Sequence, residues 1–121
     1  MFLATSNKVR RLLMLRYIGR VTHEEMIQGE EEVLALLAEI PPNFRVVQDL
    51  SQLEAMDAKS IEWVGHIMDL FYERGVGRVV RVIPDPAKDI GFNILTVFHY
   101  RHSPEIITCK DILQAASYLE Q

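Results

Sequence analysis

The segment from Arg45 to Gly75 constrains the fold of this chain more than any other. The run from Phe44 to Leu50 is short and apolar and closes with Asp49, the pattern of a central strand buried on both faces. Ser51 to Asp57 reads as a loop. Beyond it Ile61, Val64, Ile67, Met68 and Phe71 recur on one face of a helix. Gly75 ends that helix, because glycine takes the left-handed conformation of a C-cap cheaply. A strand of this kind needs neighbouring strands and covering helices, which the rest of the chain must supply.

The flanking sequence has the signals for both. Val9 to Ile18 is rich in Leu, Met, Val, Ile and Tyr and reads as a strand, with Met1 to Thr5 as a hairpin arm across Ser6-Asn7-Lys8. Gly19 to Thr22 turns into a helix. Thr22 followed by Glu25 is a capping box, in which two side chains satisfy orphan N–H groups reciprocally. Met26, Val33, Leu37 and Ile40 form its buried stripe, and Pro41-Pro42 stops it. Gly29 inside this helix reads as a weak point, costing up to about 1 kcal/mol relative to alanine. Arg78 to Ile83 is the next strand, stopped by Pro84. Asp85-Pro86 then reads as an N-cap and first helical residue, followed by a stripe of Ile90, Ile94, Val97 and Phe98. Glu105 to Cys109 is a last short strand, and Asp111 opens a helix with Ile112, Ala115, Ala116 and Leu119 on one side. Alternation of this kind predicts an α/β fold: a mostly parallel central sheet of four to five strands with right-handed crossovers and about four helices.

At 121 residues the chain is long enough for one core and reads as a single domain spanning 1–121. A net charge of −4 argues against nucleic acid as a partner, because neutralising phosphates needs a basic face. The charge is unevenly spread. Lys8, Arg10, Arg11, Arg16 and Arg20 crowd the first strand, and Glu24, Glu25, Glu30, Glu31 and Glu32 crowd the helix after it. The arginines read as solvated edge protection, with an anion-binding role as the alternative, and a basic strand beside an acidic helix suits a homodimer. The single cysteine, Cys109, excludes an internal disulfide and fits a reducing compartment. No apolar run approaches the roughly 20 residues that span a bilayer, and the N-terminus carries no signal-peptide pattern. A cytoplasmic location is therefore expected.

In open α/β sheets ligands gather at the carboxyl ends of the strands. That edge is expected to hold Asp49, Ser51 and the chain to Asp57, then Pro84-Asp85 and Lys110-Asp111. Asp57 sits where the chain enters a helix N-terminus, whose free N–H groups attract anions. The residues Asp49, Leu50, Ser51, Leu53, Met56, Asp57 and Ile61 together resemble the STAS family, the fold of bacterial anti-sigma-factor antagonists and of sulfate-transporter cytoplasmic domains. The resemblance covers Lys8 to Leu119. It implies a STAS-like fold and a non-catalytic module of bacterial signalling that binds a protein partner, such as a kinase-like anti-sigma factor. In the antagonists the residue two after the aspartate is the serine or threonine that the kinase phosphorylates, followed by glycine. Here those positions are Lys59 and Ser60, so the phosphoacceptor is missing from its place. Ser60 falls one residue late, about 100° further round the helix.

Each of these residues also has a structural reading. Asp57 is an N-cap candidate, and Asp49 can anchor a turn through its own backbone. Lys59 opposes the helix macrodipole, which favours a functional role for it. Trp63, near Met56, Lys59 and His66, suits either a binding surface or packing. No cofactor, metal or catalytic residue is expected. His99 and His102 lack further ligands, His23 and His66 are not obvious bases, and Cys109 reads as a small buried hydrophobe. Asp49 and Asp57 converging on a cation would lack a third ligand. The expected partner-binding residues are therefore Asp49, Ser51, Met56, Asp57, Lys59, Ser60 and Trp63. The alternative is a small-molecule or lipid-binding domain, similar to the CRAL-TRIO fold, with Ile90 to Phe98, Phe92 and Tyr100 walling an apolar pocket.

Overall fold

Between residues 12 and 17 half-exposed and buried side chains alternate, and that period of two seats the segment in a sheet. A computed structural model of the chain describes residues 1–85, 88, 91, 93, 95, 96 and 105–120. Strands β1 (Phe2–Asn7) and β2 (Leu12–Val21) form an antiparallel hairpin, and β3 (Arg45–Met56) runs parallel to β2. Strands β4 (Arg78–Val82) and β5 (Glu105–Cys109) add in parallel, giving the order β1-β2-β3-β4-β5. Among the described residues three helices are complete: α1 (His23–Leu37), α2 (Ala58–Glu73) and α3 (Ile112–Leu119). The expected α/β architecture with a mostly parallel sheet is the one observed. The predicted stripe Ile90, Ile94, Val97 and Phe98 lies outside the described residues, as do Phe92, His99, Tyr100 and His102. Gly91, Asn93, Leu95 and Thr96 of that stretch are helical.

Alternation along β3 divides the core. Val46 and Leu50 join Leu13, Leu15 and Tyr17 beneath α1 and α2, whose Met26, Val33, Leu37, Val64, Ile67, Met68 and Phe71 close over them. Val47 points the other way, to Val80, Val82, Cys109 and Ala115, where α3 covers the sheet. Burying each large side chain contributes roughly 1.5–3 kcal/mol, so among the described residues the broader α1/α2 face contributes more stability than the α3 face.

The helix ends follow the sequence closely. Thr22 and Glu25 form the full capping box, Glu25 N donating to Thr22 Oγ1 at 3.2 Å and Thr22 N to Glu25 Oε2 at 2.9 Å. That backbone bond from Thr22 is the main reason the Glu25 carboxyl lies below its ordinary pKa. Helix α2 ends in a Schellman motif: Gly75 N donates to Tyr72 O and Val76 N to Phe71 O, with Gly75 at φ 84°.

Several elements differ from expectation. The hairpin turns over residues 8–11 rather than at Ser6-Asn7-Lys8, with Arg11 N donating to Lys8 O. Strand β2 lies between β1 and β3, so its arginines do not protect an edge; β1 holds that position. Helix α1 stops at Leu37, before the prolines, and Ile40 is buried beyond its end. Ile61 is 40% exposed, because the inward face of α2 runs through Ser60, Val64, Ile67, Met68 and Phe71 instead. In α3 only Ala115 is buried; Tyr118 and Leu119 pack partly against the core, while Ile112 and Ala116 face outward.

The largest departure concerns Ser51 to Met56, which is strand rather than loop. Beyond Asp49, opposite the last residue of β4, strand β3 runs on paired, among the described residues, with β2 alone. Two register shifts, between Arg16 and Ile18 and between Gly19 and Arg20, each place an extra residue on β3. This two-stranded arm carries the chain out to the start of α2.

Candidate functional site

The arm delivers Asp57 to the N-terminus of α2, where its Oδ1 accepts a hydrogen bond from Ser60 N at 2.8 Å. That backbone N–H is the main reason the Asp57 carboxyl lies below the ordinary aspartate pKa, with smaller help from the charges of His23 and Lys59. A depressed folded pKa means the charged cap stabilises the chain above the unfolded value of about 3.9. That contribution is lost as pH falls through the folded value. Asp57→Asn keeps a capping oxygen but cannot titrate. The wild type is therefore expected to exceed it in stability at neutral pH, and the gap to close below about pH 4. Urea midpoints measured from pH 3 to 7 read this directly; a constant gap would refute the assignment.

Ser60 is wholly buried, and its Oγ donates to Val21 O at 3.3 Å, tying α2 to the end of β2. Its hydroxyl therefore lies beneath the exposed surface of the helix start. Lys59, one residue earlier, is exposed, as is Asp57, and Met56 is half-buried. Trp63 is also half-buried, flanked by two imidazoles. The His23 ring meets it edge-on at 5.4 Å and the His66 ring lies tilted at 4.8 Å. Its Nε1 is buried without a hydrogen-bond partner among the described residues. Sequence reasoning set both histidines aside. His66 stands three residues after Trp63 on one helix face, a spacing that was available, but His23 arrives from α1 only through tertiary packing.

Asp49 and Ser51 belong to another place. Asp49 Oδ1 accepts from Ser51 N at 3.0 Å and its Oδ2 lies 3.7 Å from Arg16 Nε. They line a cleft with Met14, Arg16, Pro84, Lys110 and Asp111, the carboxyl edge expected of such a sheet. Asp57 instead lines a hollow with Arg20, Val21, Thr22 and Met56. The two aspartates therefore do not converge, because β3 continues between them at roughly 3.3 Å per residue. Among the described residues no group of three or more His, Cys, Asp or Glu side chains is arranged to hold a metal, and no helix is long and apolar enough to cross a membrane. Burial, then the Asp111 carboxylate, pushes the Cys109 thiol above its ordinary pKa, which disfavours the reactive thiolate.

A third cleft, of about 270 Å³, opens between the arm, α2 and the stretch after β4. Leu50, Leu53, Met56, Ile61, Val64 and Leu95 make it apolar, and Lys88 beside it donates through Nζ to Leu53 O.

No family model matches the sequence, and no curated protein matches it either. Solved structures do match over nearly the full length. The chain superposes on the anti-sigma factor antagonist SpoIIAA in its unphosphorylated form with a TM-score of 0.70 at 15% identity, covering 99% of this chain and 98% of that one. An uncharacterised protein of Shewanella loihica with a SpoIIAA-like fold gives 0.71 at 17% identity, covering 98% and 92%. An anti-sigma factor antagonist from Mycobacterium paratuberculosis gives 0.63 at 15%, covering 100% and 94%. Strand order, helix placement and these superpositions agree: the chain has the SpoIIAA-like fold of STAS domains.

Proposed function

We propose that the chain is a non-catalytic, cytoplasmic binding module of the anti-sigma-factor-antagonist type, engaging a signalling protein through the exposed start of α2. Lys59 is the observation that carries the reading. It stands exposed where the antagonists carry their phosphoacceptor, while the neighbouring hydroxyl of Ser60 is buried and bonded to Val21 O. A fixed positive charge therefore occupies the place of a switchable negative one, and partner binding is constitutive. Asp57, Met56 and the half-buried Trp63 complete the surface, with the indole as its aromatic anchor. The Asp49–Ser51 cleft lies outside it.

Mixing the purified chain with each kinase-type anti-sigma factor of its source genome, with and without ATP, tests this by calorimetry and intact mass. Binding that persists in ATP with no added phosphate is expected. Phosphate on Ser60, or no binding to any of them, would overturn the reading. Lys59→Glu separates binding from folding. A carboxylate in the first helical turn suits the macrodipole and is expected to raise stability by about 0.3–1 kcal/mol. The same change is expected to weaken partner binding about tenfold, since it reverses a charge at the contact. Urea unfolding and calorimetry on one preparation read both.

The apolar cleft supports a second reading, a small-molecule or lipid-binding domain. Its volume of about 270 Å³ falls just under the usual range for drug-sized ligands, about 300–1,000 Å³. Native mass spectrometry of freshly purified chain decides it: a retained ligand favours this reading, and a clean apo mass removes it.

A further inference from the structure

At the opposite end of the sheet, where β3, β4 and β5 begin, four arginines converge. Arg45, Arg78 and Glu105 are the first residues of those strands and stand side by side in register. Arg10 and Arg11 reach the same place from the β1–β2 turn. With Asn43 and Gly77 they line a cleft of about 320 Å³. Among the described residues four guanidiniums face one carboxylate there, in a chain whose net charge is −4.

Among the described residues Glu105 pairs with Arg78 alone, accepting from its Nε at 3.0 Å and its Nη2 at 2.7 Å, while Arg78 Nη1 donates to Tyr118 O at 2.7 Å. Among the described residues Arg10, Arg11 and Arg45 have no ion-pair partner. Like charges on adjacent strands repel, yet the fold holds these together. Arg45 Nη2 donates to Arg10 O at 2.6 Å, and Arg11 Nη1 reaches Pro42 O at 3.5 Å. The non-glycine residues with positive φ in the described chain, Arg11 at 51° and Asn43 at 66°, both line this cleft. Strain gathered at one spot is a mark of a built site. Asn43 is also pressed against Gly77 so closely that a methyl group there would overlap its Oδ1. Burial, then the charges of Arg10 and Arg78, draw the Arg45 pKa below the ordinary arginine value, as expected where positive charge is left uncompensated.

We propose that this cleft binds a phosphate group. Guanidinium forks match phosphate oxygens in pairs, and a phosphate dianion would offset most of the unpaired positive charge of Arg10, Arg11 and Arg45. Carrier and partner are separate matters, because the cleft lies at the far end of the strands from the start of α2.

The test titrates inorganic phosphate into the full chain at constant ionic strength, balanced with chloride, while amide NMR signals are followed. A parallel arm sediments the chain with vesicles of phosphatidic acid or of phosphatidylcholine. Saturable shifts confined to Arg10, Arg11, Asn43, Arg45 and Gly77 are expected with phosphate. The double variant Arg10→Gln/Arg45→Gln should weaken binding about tenfold or more. Arg10→Gln alone, at an exposed side chain, gives a smaller loss with no threat to folding. Lys8→Gln, outside the cleft and paired with Glu39, should change nothing. Arginine-dependent sedimentation with phosphatidic acid vesicles, without saturable binding of free phosphate, assigns the group to a lipid headgroup and supports the cleft equally. No binding in either arm, binding indifferent to the arginine variants, or an equal response to chloride would overturn it.

Discussion

Gly29→Ala is expected to destabilise the chain by about 1–3 kcal/mol, the reverse of its effect in an open helix. Inside a helix alanine is normally favoured over glycine by up to about 1 kcal/mol. Gly29 is buried on α1 against β1, however, and a methyl group there would overlap Cδ1 and Cε1 of the Phe2 ring. The ring is not free to swing aside, since it is 8% exposed and meets Tyr17 edge-on with centroids 5.2 Å apart. Phe2→Ala alone is expected to cost about 3 kcal/mol or more. In that background the obstruction is gone, so Gly29→Ala should turn stabilising and the double variant should exceed Phe2→Ala. Urea midpoints for the four proteins close the cycle. An equal loss from Gly29→Ala in both backgrounds would show that Phe2 is not the obstacle.

The same residue shows where sequence reading stops. Within α1 Gly29 is a propensity defect, and nothing local reveals that an N-terminal strand lays a phenyl ring over it. Signals confined to a few residues transferred well. The Thr22–Glu25 capping box, the N-caps Asp57 and Asp111 and the C-terminal Gly75 all lie where spacing put them. The alternation of strands and helices likewise led to the mostly parallel sheet. The segment Ser51 to Met56 failed because its polar residues resemble a loop. Only pairing with β2, and two extra residues accommodated on β3, make it a strand.

That one misreading reshapes the site. Treated as a loop, residues 51–56 allow Asp49 and Asp57 to meet; as a strand they hold them in separate clefts. That Lys59 is a lysine at the start of α2, a side chain that takes no hydroxyl-linked phosphate, was legible from the sequence alone. The burial of Ser60 against Val21 O was not, because it depends on where β2 ends relative to α2. The arginine cleft was half legible. Arg10 and Arg11 stood out as a basic cluster, but Arg45 and Arg78 join them only once β3 and β4 align in register.

Tyr17→Phe is expected to cost about 1–3 kcal/mol, although it removes a single oxygen. The Tyr17 hydroxyl donates to Gln48 Oε1 at 3.1 Å in the centre of the α1/α2 face, where Gln48 is fully buried. Gln48 Nε2 already has no hydrogen-bond partner among the described residues. Without the hydroxyl both ends of the amide would be stranded in an apolar core, and the desolvation of each is uncompensated. Removing the amide as well reverses the argument: Tyr17→Phe/Gln48→Met keeps the volume and takes away the hydroxyl and the buried amide together. The double variant should recover most of the loss and match or exceed the wild type. A pH series separates this account from simple packing. Burial raises the Tyr17 pKa well above its ordinary value, so the folded chain keeps the hydroxyl protonated where the unfolded chain releases it, near pH 10. Stability from the hydroxyl is fully present below that pH and is lost as pH rises above it. The wild type's advantage over Tyr17→Phe should therefore shrink above about pH 10. An advantage that stays constant to higher pH would mean that the hydroxyl is not held neutral against Gln48, and the explanation would fail.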